Sequence, residues 1–459
     1  MSINSLLFTA RDSLTAHQMA ISVTGANIAN VNTPGYNRQR ADLVTIGAVN
    51  IKGFDAQVGV AVNHVTRIFD RFIEAQLVQQ QQATGYSDAM LQLLQNIQIV
   101  LDDTSGGGIN EHLDRFWASW EDLSRNPSGK LERSALLSTA QTLSGAIVSY
   151  KQNLDAISSE MNRSIADVVP LINRKLLEIA DINAQMISAG NNAGDLNNVL
   201  DQRATALREL GSMINISYYE TSNGTINVTM ANGEPLLQGS TAQTLSIVIS
   251  DGKSNIFNSN SLTSVNGSIT GGQLGAYLEM QKSILPKYTN ALDDLTNTLS
   301  TRVNALHSGG FDADGNMGMN FFVIGDAANA SGSLSVNAAL AADINRIAAS
   351  ASISGDGENA TNLAALRDKL LMDGGKTTMS GFLATMVGEI GRQTANAKTN
   401  SEHQTAILNY LNNQRDSVSG VSIDEEMILL IKYQMGYTAA GKLCNSVNDM
   451  LDVLMNIVK

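Results

Sequence analysis

Two stretches of this 459-residue chain carry residue types at spacings that could bind a phosphate or a metal. Gly436-Tyr437-Thr438-Ala439-Ala440-Gly441-Lys442 matches most of a phosphate-binding P-loop. It fails at Leu443, where a Ser or Thr hydroxyl must reach Mg²⁺, and it falls inside a helical pattern instead of between a strand and a helix. Asp312, Asp314 and Asn316 have the first three ligand spacings of an EF-hand loop. Met317 then occupies the turn position that wants Gly and Val323 replaces the bidentate Glu, so a polar turn accounts for them better than a Ca²⁺ site. The five histidines are scattered, without the H-E-x-x-H spacing of a zinc peptidase. Cys444, the single cysteine, lies on an apolar stripe and reads as a small core residue; one cysteine excludes an internal disulfide framework. The residues therefore call for no catalytic, cofactor-binding or metal-binding site.

The elements that would carry these stretches are more informative. Alternating spacings of four and three run through Ile3, Leu7, Ala10, Leu14, His17, Ile21, Thr24, Ile28 and Val31, and again through Met427, Leu430, Gln434, Tyr437, Gly441, Cys444, Asn448, Leu451, Met455 and Val458. Such seams are those of a coiled coil. His17, Thr24, Gln434, Gly441 and Asn448 interrupt them. Each buried aliphatic side chain contributes roughly 1.5–3 kcal/mol, so an interrupted pair is marginal alone and needs neighbours. An ordinary antiparallel helix pair in a monomer would show the same pattern. After the first helix, Asn27, Asn30 and Asn32 favour a helix stop, and Pro34-Gly35 reads as the centre of a type II turn before Tyr36.

Between the ends, residues 41–66 read as extended and Ile68–Ile99 as a helix. The Gln76 and Gln79–Gln82 face of that helix reads as solvated. Gly106-Gly107-Gly108 breaks the pattern, and helices continue through Trp117 and Leu136 to Leu210. Residues 214–269 are rich in Thr, Ser, Val and Ile, with Asn223-Gly224, Asn232-Gly233 and Asn266-Gly267 as turns, so hairpins are expected there. Helix returns over Gly275–His307, residues 331–357 are mixed, and a long helix over Ser380–Ser417 leads into the terminal stripe. The plan is mainly α with a small β insertion, in three nested units. Residues 1–66 with 415–459 form a terminal coiled-coil unit, 67–212 with 271–414 a helical rod-like unit, and 213–270 an outer β unit.

Composition narrows the class. Aromatics are 5% of the chain, so cores rest on aliphatics and the 17 Met. A net charge of −13 argues against nucleic acid or an anionic membrane surface as the main partner. No stretch approaches the roughly 20 apolar residues of a membrane span. The start lacks the basic and apolar segments of a cleavable secretory signal.

The string Asn27-Ile28-Ala29-Asn30-Val31-Asn32-Thr33-Pro34-Gly35-Tyr36 resembles the N-terminal motif of the flagellar rod, hook and hook-associated axial proteins. Ser419-Gly420-Val421-Ser422-Ile423-Asp424-Glu425-Glu426, with Tyr433-Gln434 and Tyr437, is similar to the matching C-terminal motif, and its acidic triplet fits the hook-associated branch. Asn126-Pro127 with Arg133, Asn198-Val199-Leu200-Asp201-Gln202-Arg203, Asn232-Gly233 with Leu236-Leu237 and Gly239, Gly271-Gly272-Gln273-Leu274-Gly275, and the run His307 to Phe322 resemble that branch in the same order. Ala204 departs from the acidic residue expected after Arg203. The central insertion is short, so a second outer domain of larger relatives is expected to be missing.

The resemblance implies a structural subunit, not an enzyme, at the junction between flagellar hook and filament. It implies secretion by the flagellar type III apparatus to an extracellular location. The implied partners are further copies of the chain, the hook protein, a second junction protein with the flagellin side of the filament, and an export chaperone on the C-terminal stripe. The implied assembly residues are Leu7, Leu14, Ile21, Ile28, Asn30, Asn32, Pro34, Gly35 and Tyr36 at the N-terminus. At the C-terminus, Asp424, Glu425, Met427, Leu430, Ile431, Tyr437, Leu451 and Leu454 are implied for assembly and chaperone binding. A hook or distal-rod subunit is the alternative within the class. A secreted adhesin or enzyme active in the β insertion is the alternative outside it, and no His, Cys or carboxylate cluster there speaks for one.

Overall fold

The computed structural model describes residues 3–51, 54–101, 107–189, 196–352 and 355–457; Gly106 and Val458 lie outside them. The interrupted terminal stripes become helices α1 (Ile3–Ala29) and, at the far end, a helix over Ile423–Ile457, and the two pack along each other. After α1 comes a long antiparallel hairpin, β1 (Gln39–Ile51) and β2 (Phe54–Arg67), with a register shift at Asp42/Leu43. The hairpin packs on α1 as well, so α1 is covered by two different elements.

Helices α2 (Arg71–Leu101), α3 (Ile109–Arg125), α4 (Lys130–Ala189) and α5 (Asn197–Met213) follow. At about 1.5 Å per residue, α4 with its 60 residues is the long spine of the body. The Gln face of α2 is not solvated throughout. Gln80 Nε2 donates to the Gln404 carbonyl at 2.9 Å, and Gln82 Nε2 to the Ile216 carbonyl at 2.9 Å.

The β insertion holds two sheets. β3 (Ile216–Glu220), β4 (Ile226–Met230), β5 (Pro235–Gln238) and β6 (Thr241–Ala242) pair in sequence order; β7 (Leu245–Ser250) and β8 (Lys253–Asn258) form a separate hairpin. Asn223-Gly224 and Asn232-Gly233 make the turns between β3, β4 and β5, with Gly224 at φ +80° and Gly233 at φ +85°. Asn266-Gly267 does not close a hairpin: it lies in a single 3₁₀ turn, Asn266–Ser268. Asp251-Gly252 closes β7–β8 instead, at φ +51° and +71°, where both central residues need positive φ.

Helix resumes as α6 (Gly272–Glu279), passes through a π-helical turn at Met280–Ile284, and continues as α7 (Leu285–Gly309). A mixed stretch contains β9 (Phe322–Ile324), α8 (Ala330–Ser333), β10 (Leu334–Val336), α9 (Ala338–Ala342) and α10 (Glu358–Ala364). The chain ends on α11 (Met379–Ser419), packed along α2, and α12 (Ile423–Ile457), the helix that meets α1. The fold is mainly α with a small β insertion.

The few aromatics are concentrated. Phe116, Trp117, Trp120, Phe321 and Phe322 are all buried, with ring centroids such as Phe116–Trp117 at 4.9 Å and Trp120–Phe321 at 5.4 Å. His307 belongs to this cluster. Its Nδ1 donates to the Met319 carbonyl at 2.5 Å and its Nε2 accepts from the Ala348 N–H at 2.9 Å, so the ring is the neutral tautomer. Burial pushes its pKa down to about 4. Arg133, also buried, donates to the carbonyls of Pro127 and Ile347 (2.7 and 2.6 Å), tying the α3–α4 turn to the loop before α10.

Candidate functional site

The short loop after α1 is built as its residues dictate. The Asn30 amide donates to the Ala26 carbonyl at 2.9 Å and accepts from the Thr33 hydroxyl at 3.1 Å, closing the helix end. The Tyr36 N–H donates to the Thr33 carbonyl across Pro34-Gly35, with Gly35 at φ +81°, as a type II turn requires. Asn32 and Pro34 are exposed. Space as well as backbone angle selects Gly35, since a Cβ there would lie 2.5 Å from Thr205 Oγ1 on α5.

The loop leads into a buried polar hub that joins both ends of the chain to the body. Asn27 is its centre. Its Nδ2 donates to the Gln39 carbonyl at 2.8 Å and to Glu426 at 3.0 Å; its Oδ1 accepts from Tyr36 Oη at 2.8 Å and the Gln39 N–H at 2.9 Å. Arg38 spans Glu425 and Glu426 of α12, both at 2.7 Å. Glu426 is 1% exposed, so its charge is held by Arg38 and Asn27 and not by water. Burial, reinforced by Asp201 and Glu426, pushes the Tyr36 hydroxyl up to about 12, which keeps it a neutral donor.

A second cluster ties the hub to α5. Asp201 accepts from the Asn37 N–H at 3.1 Å, from Asn37 Nδ2 at 2.5 Å and from Arg67 at 2.8 Å. Gln39 reaches Asn198 at 3.2 Å, and Asn197 donates to the Val65 carbonyl at 2.8 Å. Arg208 of the same helix pairs with the buried Glu74 of α2 at 3.2 Å. Segments far apart in sequence, around 27–39, 197–208 and 425–426, thus meet at one place. Asn37, Arg38, Arg67, Glu74 and Glu426 were missed as single residues in the sequence because nothing local signals a partner hundreds of positions away.

The helix pair itself differs in register from the seam read in the sequence. Ala10, Ala16, Ala20, Thr24 and Asn27 are the buried residues of α1, whereas Leu7, Leu14, Ile21 and Ile28 are half-buried. On α12 the buried stripe is Glu426, Ala440 and Val447, with Leu430, Tyr433, Cys444 and Leu451 half-buried along it. Met427, Gln434, Tyr437, Asn448 and Met455 stand on the exposed side, as do Asp424, Glu425, Ile431 and Leu454. The reason is close approach: a Cβ at Gly436 would sit 2.5 Å from the His17 ring, so small residues face α1. Glu426 is drawn inward by its partners, which a seam judged on hydrophobicity cannot register. The half of the pair turned away from the body therefore keeps a row of large apolar side chains, including Phe8, Met19, Ile428, Met435 and Val453, in the open.

The other candidate ligand groups are spent locally. Gly436–Lys442 lies inside α12. Asp312 Oδ1 accepts the N–H groups of Asp314 and Asn316 at 2.9 and 2.8 Å, closing its own turn. Among the described residues no cluster of three or more His, Cys, Asp and Glu could hold a metal, and no helix is long and apolar enough to cross a membrane.

Comparison with known proteins agrees with this layout. "Flagellar hook-associated protein FlgK helical domain" matches residues 94–322, "Flagella basal body rod protein" residues 7–37 and "Flagellar basal body rod FlgEFG protein C-terminal" residues 413–457. Flagellar hook-associated protein 1 of Bacillus subtilis is 26% identical, over 98% of this chain and 97% of its own length. The protein of the same name from Salmonella typhimurium is 27% identical, over 99% and 100%. The chain belongs to the flagellar hook-associated protein 1 family. The flagellar hook junction protein FlgK from Burkholderia pseudomallei has the same fold, with a TM-score of 0.69 at 17% identity, over 75% of this chain and 100% of that one. For a hook-associated protein, a structural part of the bacterial flagellum, the hub and the apolar face of the helix pair are the features that bear on assembly.

Proposed function

We propose that the chain is the structural subunit joining hook to filament, self-assembling through its terminal helices after type III export, and that it has no catalytic role. The observation that carries this reading is the α1–α12 pair, anchored to the body by Asn27, Arg38 and Glu426 yet open along its outer apolar side. A helix pair of this kind is incomplete alone. Neighbouring copies, hook protein below and the second junction protein with the flagellin side above, cover Leu7, Leu14, Ile21, Ile28, Met427, Ile431, Tyr437 and Leu454. Leu430 and Leu451 complete the pair from within, while Asn30, Asn32, Pro34, Gly35 and Tyr36 set the turn and Asp424 and Glu425 the start of α12.

Before assembly the same face of α12 is the docking surface for an export chaperone, as an amphipathic helix suits a hydrophobic groove. In this reading the chain divides into the terminal unit (1–66 with 415–459), the helical rod-like unit (67–212 with 271–414) and the outer β unit (213–270), and works outside the cell. The role is tested by deleting the chain and imaging the cell surface by electron microscopy. Hooks without filaments, with flagellin lost to the medium, are expected. Missing hooks would move the protein to the rod or hook, and normal flagella would overturn the reading.

A further inference from the structure

A cleft of about 830 Å³ opens on the body between α2 and the free edge of β3, with residues of α5 also on its wall. The backbone of the edge strand faces into it. Met230 stands opposite Ile216 and turns its N–H the other way, to the Glu234 carbonyl at 2.8 Å. The Ile216 carbonyl takes Gln82 Nε2 of α2 at 2.9 Å. Ile216 therefore presents its backbone to α2. Because strand orientation repeats every second residue, Tyr218 and Glu220 present theirs on the same side. Among the described residues the N–H and carbonyl groups of Tyr218 and Glu220 have no partner.

Of the five charged side chains on the walls, Arg67, Arg71, Glu74, Arg203 and Glu220, four are neutralised in place. Arg67 bonds Asp201 at 2.8 Å, Glu74 bonds Arg208 at 3.2 Å, and Arg203 bonds Glu220 at 3.1 Å. Arg71 is exposed and has no partner among the described residues. Next to it Phe72 is 82% exposed, and Tyr219 of β3 is 58% exposed. Open strand groups, one uncompensated cation and two bare aromatic rings thus share a cleft of the size that takes ligands.

We propose that this cleft binds an extended acidic segment of a partner protein, which adds to β3 as a further strand. Unpartnered N–H and carbonyl groups on alternate residues are complementary to another extended backbone. A sheet of a second folded copy does not suit the site. Helix α2 stands across the edge, with Gln82 bridging it to Ile216, so a single strand has room there and a sheet has not. The unpaired Arg71 calls for an Asp or Glu in the segment, and Phe72 with Tyr219 calls for an apolar residue beside it. None of the lining residues comes from α1 or α12, so the site is separate from the helix pair and does not depend on the junction role.

The test uses the full chain and a phage-displayed library of short random peptides. Depletion on Arg71→Glu, with circular dichroism matching the wild type, removes peptides that bind any other surface. Panning on the wild type should then enrich peptides that carry Asp or Glu beside apolar residues. The enriched peptide, made synthetically, should bind Arg71→Glu roughly tenfold more weakly or worse. Independently of any variant, N-methylation along that peptide should block binding at every second position, because only alternate N–H groups face β3. No enrichment after depletion, an enriched set without acidic residues, or an N-methyl scan without that period would overturn the proposal.

Discussion

Asn27 and Glu426 stand 399 residues apart in the chain and meet in its interior at 3.0 Å. The same carboxylate takes Arg38 at 2.7 Å, so one buried charge holds the two ends of the protein to each other and to the hairpin. Glu426→Ala would take this acceptor from Asn27 and from Arg38 Nε while Arg38 keeps Glu425, a loss of about 1–3 kcal/mol. Glu426→Ala should therefore release α12 from α1 while the aromatic cluster stays folded. Limited proteolysis checks it: early cleavage within 420–457 is expected, and wild-type resistance would contradict the hub's role.

Gly35 is fixed by both its φ of +81° and the Thr205 hydroxyl beside it. Gly35→Ala should cost about 1–3 kcal/mol. Thr205→Ala should recover only part of it, since it removes the clash and leaves the backbone strain. Chemical denaturation of the single and double variants reads the coupling, and full recovery would show that strain plays no part.

His307 gives the body a defined response to acid. Its pKa in the folded protein is about 4, below its ordinary value of about 6.5, so the unfolded chain binds the proton more readily between these values. Its contribution is fully present above about pH 6.5 and is lost as pH falls towards 4, amounting to about 3 kcal/mol in all. Urea titrations across that range should show the fall, and His307→Gln should flatten it. Equal slopes in the two proteins would contradict the assignment.

The two sides of α12 should behave differently. Val447 is buried against α1 and Leu454 is 46% exposed. Val447→Asp should loosen the helix pair in the isolated subunit, measured as faster hydrogen exchange in α1. Leu454→Asp should leave exchange unchanged. Truncation from Ser422 onward should abolish chaperone binding in calorimetry, and unchanged affinity would refute that docking surface.

Much of the fold was legible because periodicity is local. The stripes at both ends, the long helix over Met379–Ser419 and the Asn-Gly turns at 223 and 232 each declare themselves within a dozen residues. The contact face of the helix pair was not legible, because Ala16, Ala20 and Ala440 are selected by close approach and Glu426 by partners across the fold. Asp251-Gly252 closed a hairpin where Asn266-Gly267 did not, for a related reason: the Asn266 side chain is spent on β8. Of the hub, Asn27, Asn30, Gly35 and Tyr36 drew attention as a motif, but the hydrogen bonds that give the motif its purpose end on Asp201, Glu426 and Thr205.

The most direct test of the assembly account is complementation of a strain lacking this chain with Leu454→Asp or with Ile431→Asp, imaged by electron microscopy beside the wild type. The account predicts folded subunits, intact hooks and no filaments for either variant. Filaments of normal length and number would show that the exposed face of α12 is not the surface that joins subunits.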